Sequence, residues 1–151
     1  MDRRGWGRYA GVLLAGRMQA GVQRKAAVIT VYAPCGTTSA ATQRQAAGIA
    51  AAAATGQKGV RGKSPFAVLL KDLHAEIVEL KAKGVADIIV GGDFNARHDG
   101  SVRPWRQLQA WRKRCGLGDV LRELHPATEF VTYRAQGSSG RIATWIDHCF
   151  V

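Results

Sequence analysis

The stretch DIIVGGDFNARH at positions 87–98 ends an apolar run with two glycines, an acid, an aromatic, an amide and, soon after, a histidine. Asp93 and Asn95 are the pair that could do chemistry. A carboxylate can orient or deprotonate a water, and an amide can donate a hydrogen bond to a phosphate oxygen. Two positions apart on extended backbone, they face the same side. Phosphate-ester chemistry wants such a pair, usually with a divalent cation to offset the charge that develops. Gly91 and Gly92 let the backbone turn and let a ligand come close. The same residues also fit a strand end closed by an Asx-turn at Asp93 or Asn95. On these positions alone both readings stand.

The elements around the pair read as mixed α/β. YAGVLLA at 9–15 and AAVITVYA at 26–33 are strands, the second rich in β-branched residues, and they could pair as a hairpin. Residues 36–63, GTTSAATQRQAAGIAAAAATGQKGVRGK, form a low-complexity insertion read as mobile with nascent helix. Ser64 and Pro65 then cap and open a helix whose apolar stripe is Phe66, Leu69, Leu70, Leu73, Ile77 and Leu80, ending at Gly84. ADIIVG at 86–91 reads as a strand buried on both faces. A helix from Pro104 presents Trp105, Leu108, Trp111 and Cys115 on one side, with Arg112, Lys113 and Arg114 as its solvated end. Asp119 caps a short helix, VLREL. Phe130 to Tyr133 read as a strand, RAQGSSGR as a loop, and residues 142–151 as a last strand.

The 151 residues make one domain with enough apolar content, 46%, to exclude a disordered chain. No apolar run approaches the length needed to span a bilayer, and GVLLAG near the start is too short for a signal-peptide core. Cys35, Cys115 and Cys149 are odd in number and far apart, which fits free thiols in a reducing, intracellular compartment better than a disulfide frame or zinc knuckle. The net charge of +11 is unevenly placed: residues 1–71 hold eleven Lys and Arg against Asp2 alone, whereas residues 72–151 hold eleven against ten acids. A half-chain this basic points to DNA or RNA as a partner, the alternative being a solvated basic surface with no specific partner. No obligate protein partner is evident.

Read in order, VYAP at 31–34, a helix, IIVGGDFNA at 88–96, GLGDVLRELHP, a strand with Thr132 and WIDHCFV at 145–151 resemble the endonuclease/exonuclease/phosphatase superfamily, the DNase I-like group. GDFNA followed closely by a histidine is most similar to the endonuclease domains of non-LTR retrotransposons. The resemblance covers residues 9 to 151 and implies a four-layer α/β sandwich, of which this chain would form a partial copy. It implies a Mg²⁺-dependent phosphodiester hydrolase in which Asp93 positions or activates the attacking water and touches the metal, Asn95 holds a phosphate oxygen, and Tyr32, followed by Pro34, sets a phenol beside the scissile phosphate. Asp147 would orient a catalytic histidine, and Thr132 would be mainly structural.

Asp147-His148 also looks like the family's terminal Asp-His pair, which makes His148 a candidate imidazole. Against it, the segment is strand-like, Phe150 replaces the usual proline, and alternation sends His148 to the face opposite Asp147. His98 is expected to be exposed and His125 to end a helix. The chain departs from the pattern in two larger respects: no glutamate precedes Tyr32, where the family holds its metal, and no asparagine precedes Asn95, where the family's first strand carries one. Asp93 and Asp147 alone would hold Mg²⁺ weakly. The alternative function is therefore a catalytically inactive fragment that binds nucleic acid through its basic half. A phosphatase of small phosphorylated lipids or inositols is a weaker alternative. Missing strands would leave sheet edges unpaired, from which low solubility is expected.

Overall fold

The computed structural model of the chain describes residues 7–17, 21–34, 40–55, 63–98, 103–137 and 140–151. Cys35 and residues 36–39 and 56–62 of the insertion lie outside them. The elements are β1 (Tyr9–Arg17), β2 (Gln23–Tyr32), α1 (Ala40–Ala54), α2 (Pro65–Ala82), β3 (Asp87–Asp93), α3 (Arg103–Cys115), α4 (Val120–Leu124), β4 (Tyr133–Gly137), β5 (Gly140–Thr144) and β6 (Asp147–Phe150). Four strands form one sheet in the order β1-β2-β3-β6, and β4 and β5 form a separate two-stranded sheet. β1 and β2 are antiparallel, as their sequences suggest, β2 and β3 are parallel, and β3 and β6 are antiparallel. The parallel step is made by a long crossover that carries α1 and α2, as parallel pairing requires.

Alternation on the strands sorts their side chains onto two faces. One face sends Ala27, Ile29, Val31, Ile88, Val90 and Phe150 into the core. There they meet Phe66, Leu69, Leu70, Leu73 and Ile77 of α2 and Trp105, Leu108, Trp111 and Cys115 of α3. The expected stripe of α2 is therefore its buried face. Its start is as the sequence dictates, since the Ser64 hydroxyl accepts from the Ala67 N–H at 3.3 Å and Pro65 follows. Gly84, at φ +75°, turns the chain out of the helix. Where α2 meets α3, His74 Nδ1 lies 3.3 Å from Cys115 Sγ, and Lys81 Nζ donates to the Cys115 carbonyl at 2.7 Å. Burial pushes the Cys115 thiol up to about 11, so it stays protonated and inert.

Four local expectations change. The insertion contains a regular 15-residue helix, α1, rather than a nascent one. Alanine favours helix, and Ile49 gives α1 an anchor by burying against Val68 of α2. β3 is buried on one face only, because Ile89 is 37% exposed on the face that carries no helix among the described residues. The strand expected at 130–133 begins at Tyr133 instead, and RAQG belongs to it. The last strand is two strands in different sheets, because Trp145 and Ile146 are both buried and break the alternation between β5 and β6. Among the described residues no helix is long and apolar enough to cross a membrane.

Candidate active site

The sheet register brings three of the sequence candidates into one row. Tyr32 of β2 is paired with Asp93 of β3, and Asp93 is paired with Asp147 of β6. Directly paired residues share a face, with Cβ atoms about 4.5–5.5 Å apart across an antiparallel pair. A phenol and two carboxylates thus stand side by side across three strands, at the ends of β2 and β3 and the start of β6. They lie on the face opposite the helices, where Tyr32 is 55% exposed and both acids are half-buried.

Each end of the row is pinned. The Ala33 N–H donates to the Asp93 carbonyl at 2.7 Å, which holds the end of β2 on β3. The Thr132 hydroxyl accepts from the N–H groups of both Ile146 and Asp147, each at 3.1 Å, so Thr132 fixes the start of β6. The indole N–H of Trp145 donates to the Asp147 carbonyl. Beside the row, the Arg8 guanidinium sits 5.5 Å from the centre of the Tyr32 ring, within cation–π range. Arg8 is itself buried, against the side-chain amide of Gln45 from α1. Nothing in the sequence separates Arg8 from the other basic residues around it.

Asn95 reaches this end of the sheet by a turn and not by extended alternation. Its φ is +48°, and its N–H donates to Asp93 Oδ1 at 2.8 Å. That is the Asx-turn geometry that the sequence left open. The turn does not remove the amide from the site: Asn95 Nδ2 donates to the Ala33 carbonyl at 2.9 Å, which ties it to the end of β2 beside Tyr32. The Asx-turn and the chemical pair are therefore one arrangement. Gly92 serves the same turn, at φ +133°, where a Cβ would overlap the Val31 carbonyl of the neighbouring strand. The close approach at Gly92 is made by protein backbone and not by a ligand, and Gly91 meets only ordinary contacts.

Burial pushes the Asp93 carboxyl above its ordinary value, and the negative charge of Asp147 pushes the same way, while the Asn95 N–H opposes them. Both upward effects come from a carboxylate taken partly out of water beside another. Such a pair would welcome a cation. Mg²⁺ is commonly held through one or two carboxylates, with waters and substrate phosphate completing its shell. Asp93 and Asp147 fit that mode. Among the described residues no group of three or more His, Cys, Asp or Glu side chains could hold a metal ion. The protein's share of such a shell is thus small.

His148 does not join the row. It is paired with Gly92, so its ring projects to the helix side of the sheet, where it is 2% exposed. There it is enclosed by Phe94, Trp105, Trp145 and Phe150. Its Nε2 lies 2.9 Å from the Ala96 carbonyl, and its Nδ1 is buried without a hydrogen-bond partner. That pattern fits a neutral ring with its proton on Nε2, and burial holds its pKa below the ordinary histidine value. This placement removes His148 from the set that could touch a phosphate at the row. His98 is not fully exposed as expected but half-buried, stacked on Trp145 at 4.4 Å between ring centres, with Arg122 Nη2 2.9 Å from its Nε2. His125 ends α4, and Asp119 caps it by accepting from the Arg122 N–H at 3.3 Å.

Neither a protein-family model nor a curated protein matches the chain. A solved structure does: the endonuclease domain of TRAS1, a telomere-specific non-LTR retrotransposon, is similar over 93% of this chain and 49% of that one, at 14% identity and a TM-score of 0.50. The chain spans about half the length of that domain. The likeness establishes the fold, a mixed α/β arrangement of the DNase I-like type.

Proposed function

We propose that the row Tyr32, Asp93 and Asp147, closed by Asn95, is a phosphodiester-cleaving site of the endonuclease kind, acting on nucleic acid. The observation that carries the reading is the register: four residues separated by up to 115 positions are brought to one end of one sheet, three of them as direct cross-strand neighbours. The likeness to a retrotransposon endonuclease domain is in fold only.

In this reading Asp93 orients a water and takes its proton as the water oxygen bonds to phosphorus. The second N–H of the Asn95 amide donates to a non-bridging phosphate oxygen. The opposite P–O bond breaks and the leaving oxygen takes a proton from solvent, giving a phosphate monoester and an alcohol, with the Tyr32 phenol beside that oxygen. Asp147, beside Asp93, would share a cation with it. Mg²⁺, when bound there, would supply charge neutralisation at the phosphate. The basic half of the chain would bring the polyanion to the site.

A second reading has its own observation behind it: the row holds two carboxylates and no imidazole. It is a nucleic-acid-binding chain without turnover. Conversion of supercoiled plasmid to nicked circles, followed with Mg²⁺ and with chelator, separates the two. The first reading expects nicking that needs Mg²⁺ and falls at least ~10²-fold in Asp93→Asn, the scale of a lost general base. Salt-sensitive DNA binding with no nicking by the wild-type chain would establish the second.

A further inference from the structure

A cavity of about 280 Å³ opens beside Asn95, lined among the described residues by Pro34, Thr42, Phe66, Asn95, Arg103 and Gln107, together with Ser64, Pro65 and Pro104. It is walled by α1, α2 and α3 and by the chain leaving β2, so the crossover insertion supplies one side of it. Two features make it more than a surface dent. First, it shares Asn95 with the candidate site, whose amide is tied to the end of β2. Second, its lining is divided in kind. Arg103 and Gln107 lie one helical turn apart on α3, which puts them on the same side of that helix, and Thr42 lies across from them on α1. Pro34, Pro65, Pro104 and Phe66 provide flat, apolar wall. A cation, hydrogen-bonding side chains and apolar plates within one small cavity match the parts of a nucleotide: phosphate, base edge and base face.

We propose that this cavity seats one nucleotide of the substrate strand, next to the phosphate held at Asn95. Arg103 pairs with the phosphate of that nucleotide, Gln107 and Thr42 meet its base or sugar, and the proline and phenylalanine wall takes the base face. The proposal rests on the reading of the Asp93–Asn95 row as a phosphodiester site, but it concerns binding and can be measured without turnover. It also gives α1 a functional part, since that helix closes one side of a substrate subsite.

The test is fluorescence anisotropy of a labelled 12-mer oligothymidylate with the full chain in chelator, where no metal-dependent cleavage can occur. Gln107→Trp fills the cavity without changing charge. Arg103→Gln removes its cation. Arg114→Gln, on the last turn of α3 and away from the cavity, removes the same charge as a control. Gln107→Trp is expected to weaken binding about tenfold with the salt dependence unchanged, as a lost stacked base would. Arg103→Gln is expected to weaken it to a similar extent and to lower the salt slope by about one. Arg114→Gln should alter Kd less than about twofold. Thermal melts confirm that each variant folds, and Arg103 is exposed, so its substitution leaves the core alone. Equal effects from Arg103→Gln and Arg114→Gln, with Gln107→Trp binding as wild type, would overturn the proposal. Cavity-dependent binding in a chain that never nicks plasmid would uphold the subsite and sink only the hydrolase reading. Plasmid nicking that survives all three substitutions unchanged would do the reverse.

Discussion

The two faces of the four-stranded sheet are made by the same strands and differ in almost everything else. On the helix side the strands carry Ile29, Val31, Val90 and Phe150, all buried beneath α2 and α3. On the other side they carry Val12 and Leu14, 58% and 55% exposed, with Val28 and Ile89 beside them, and the row of Tyr32, Asp93 and Asp147 at one end. His148 and Asp147 are adjacent in sequence and fall on opposite sides of this divide. The pleat alone decides which of them stands beside Asp93 and Tyr32. One face holds the molecule together, and the other keeps a polar row at one end and apolar groups that the described residues do not cover.

The largest effects should therefore come from the helix face. Phe94 is fully buried between Trp111, His148 and Phe150, directly behind the row. Phe94→Ala should cost about 3–5 kcal/mol of stability, measured by denaturant unfolding, through lost burial and the cavity left behind. A cost under about 1 kcal/mol would mean that this face is not the core. The next largest effect separates two neighbouring glycines. Gly92→Ala combines a positive φ with overlap on the Val31 carbonyl and should cost about 2–4 kcal/mol. Gly91→Ala meets atoms no closer than 3.5 Å and should stay within about 1 kcal/mol. Equal losses at the two positions would show that the β2–β3 contact is looser than described.

What could be read from the sequence follows the same divide. The stripe of α2, the Ser64 cap, the aromatic side of α3 and the β1–β2 hairpin were legible because each is a local pattern of apolar spacing or capping. The opposite sides of Asp147 and His148 followed from strand period alone. Three things were not legible. The α1 helix hides in alanines and glycines with a single large apolar anchor, Ile49, and its partner Val68 lies in another element. The Asx-turn at Asp93 was open to the sequence, but not that it and the Asp93–Asn95 pair coexist, because that depends on the left-handed backbone at Asn95 and on its tie to Ala33. The cavity beside Asn95 depends on α1, α2 and α3 meeting, and Thr42, Arg103 and Gln107 carry no motif.

The two faces should also answer pH in opposite directions. His148, on the buried face, has its pKa held down, chiefly by desolvation and against the pull of the Ala96 carbonyl. A depressed histidine stabilises the fold above its unfolded pKa of about 6.5, and that contribution is lost as pH falls through the lower folded value. His148→Phe should flatten the fall of melting temperature on the acid side of pH ~6.5. Asp93, on the open face, has its pKa raised, so its neutral form is the one the fold favours. Its contribution is full below the ordinary carboxylate range and is lost as pH rises through the raised value. Asp93→Asn should gain in melting temperature over the wild type as pH rises out of that range and then hold the gain. Added Mg²⁺ should narrow the difference if Asp93 and Asp147 hold it. A gain independent of pH would place the Asp93 carboxyl in open water.

The smallest effect is expected at the centre of the open face, and its smallness is the point. Ile89 stands on β3 in the same orientation as the row, flanked on β2 by Val28, with no helix above it. At 37% exposed, Ile89 still packs much of its surface against its strand neighbours, but its loss opens no cavity in the core. Ile89→Lys should therefore cost no more than about 1 kcal/mol, far less than a core truncation. It should also raise the concentration at which the chain stays monomeric, because it interrupts a contiguous apolar patch beside the long outer strand β1. Light scattering reads the second effect and a urea melt the first. A loss above about 2 kcal/mol would require something packed on that face, and the difference between the two sides of the sheet would then disappear. Improved solubility with little change in stability would leave the division as described: core on one side, the Tyr32–Asp93–Asp147 row and uncovered apolar surface on the other.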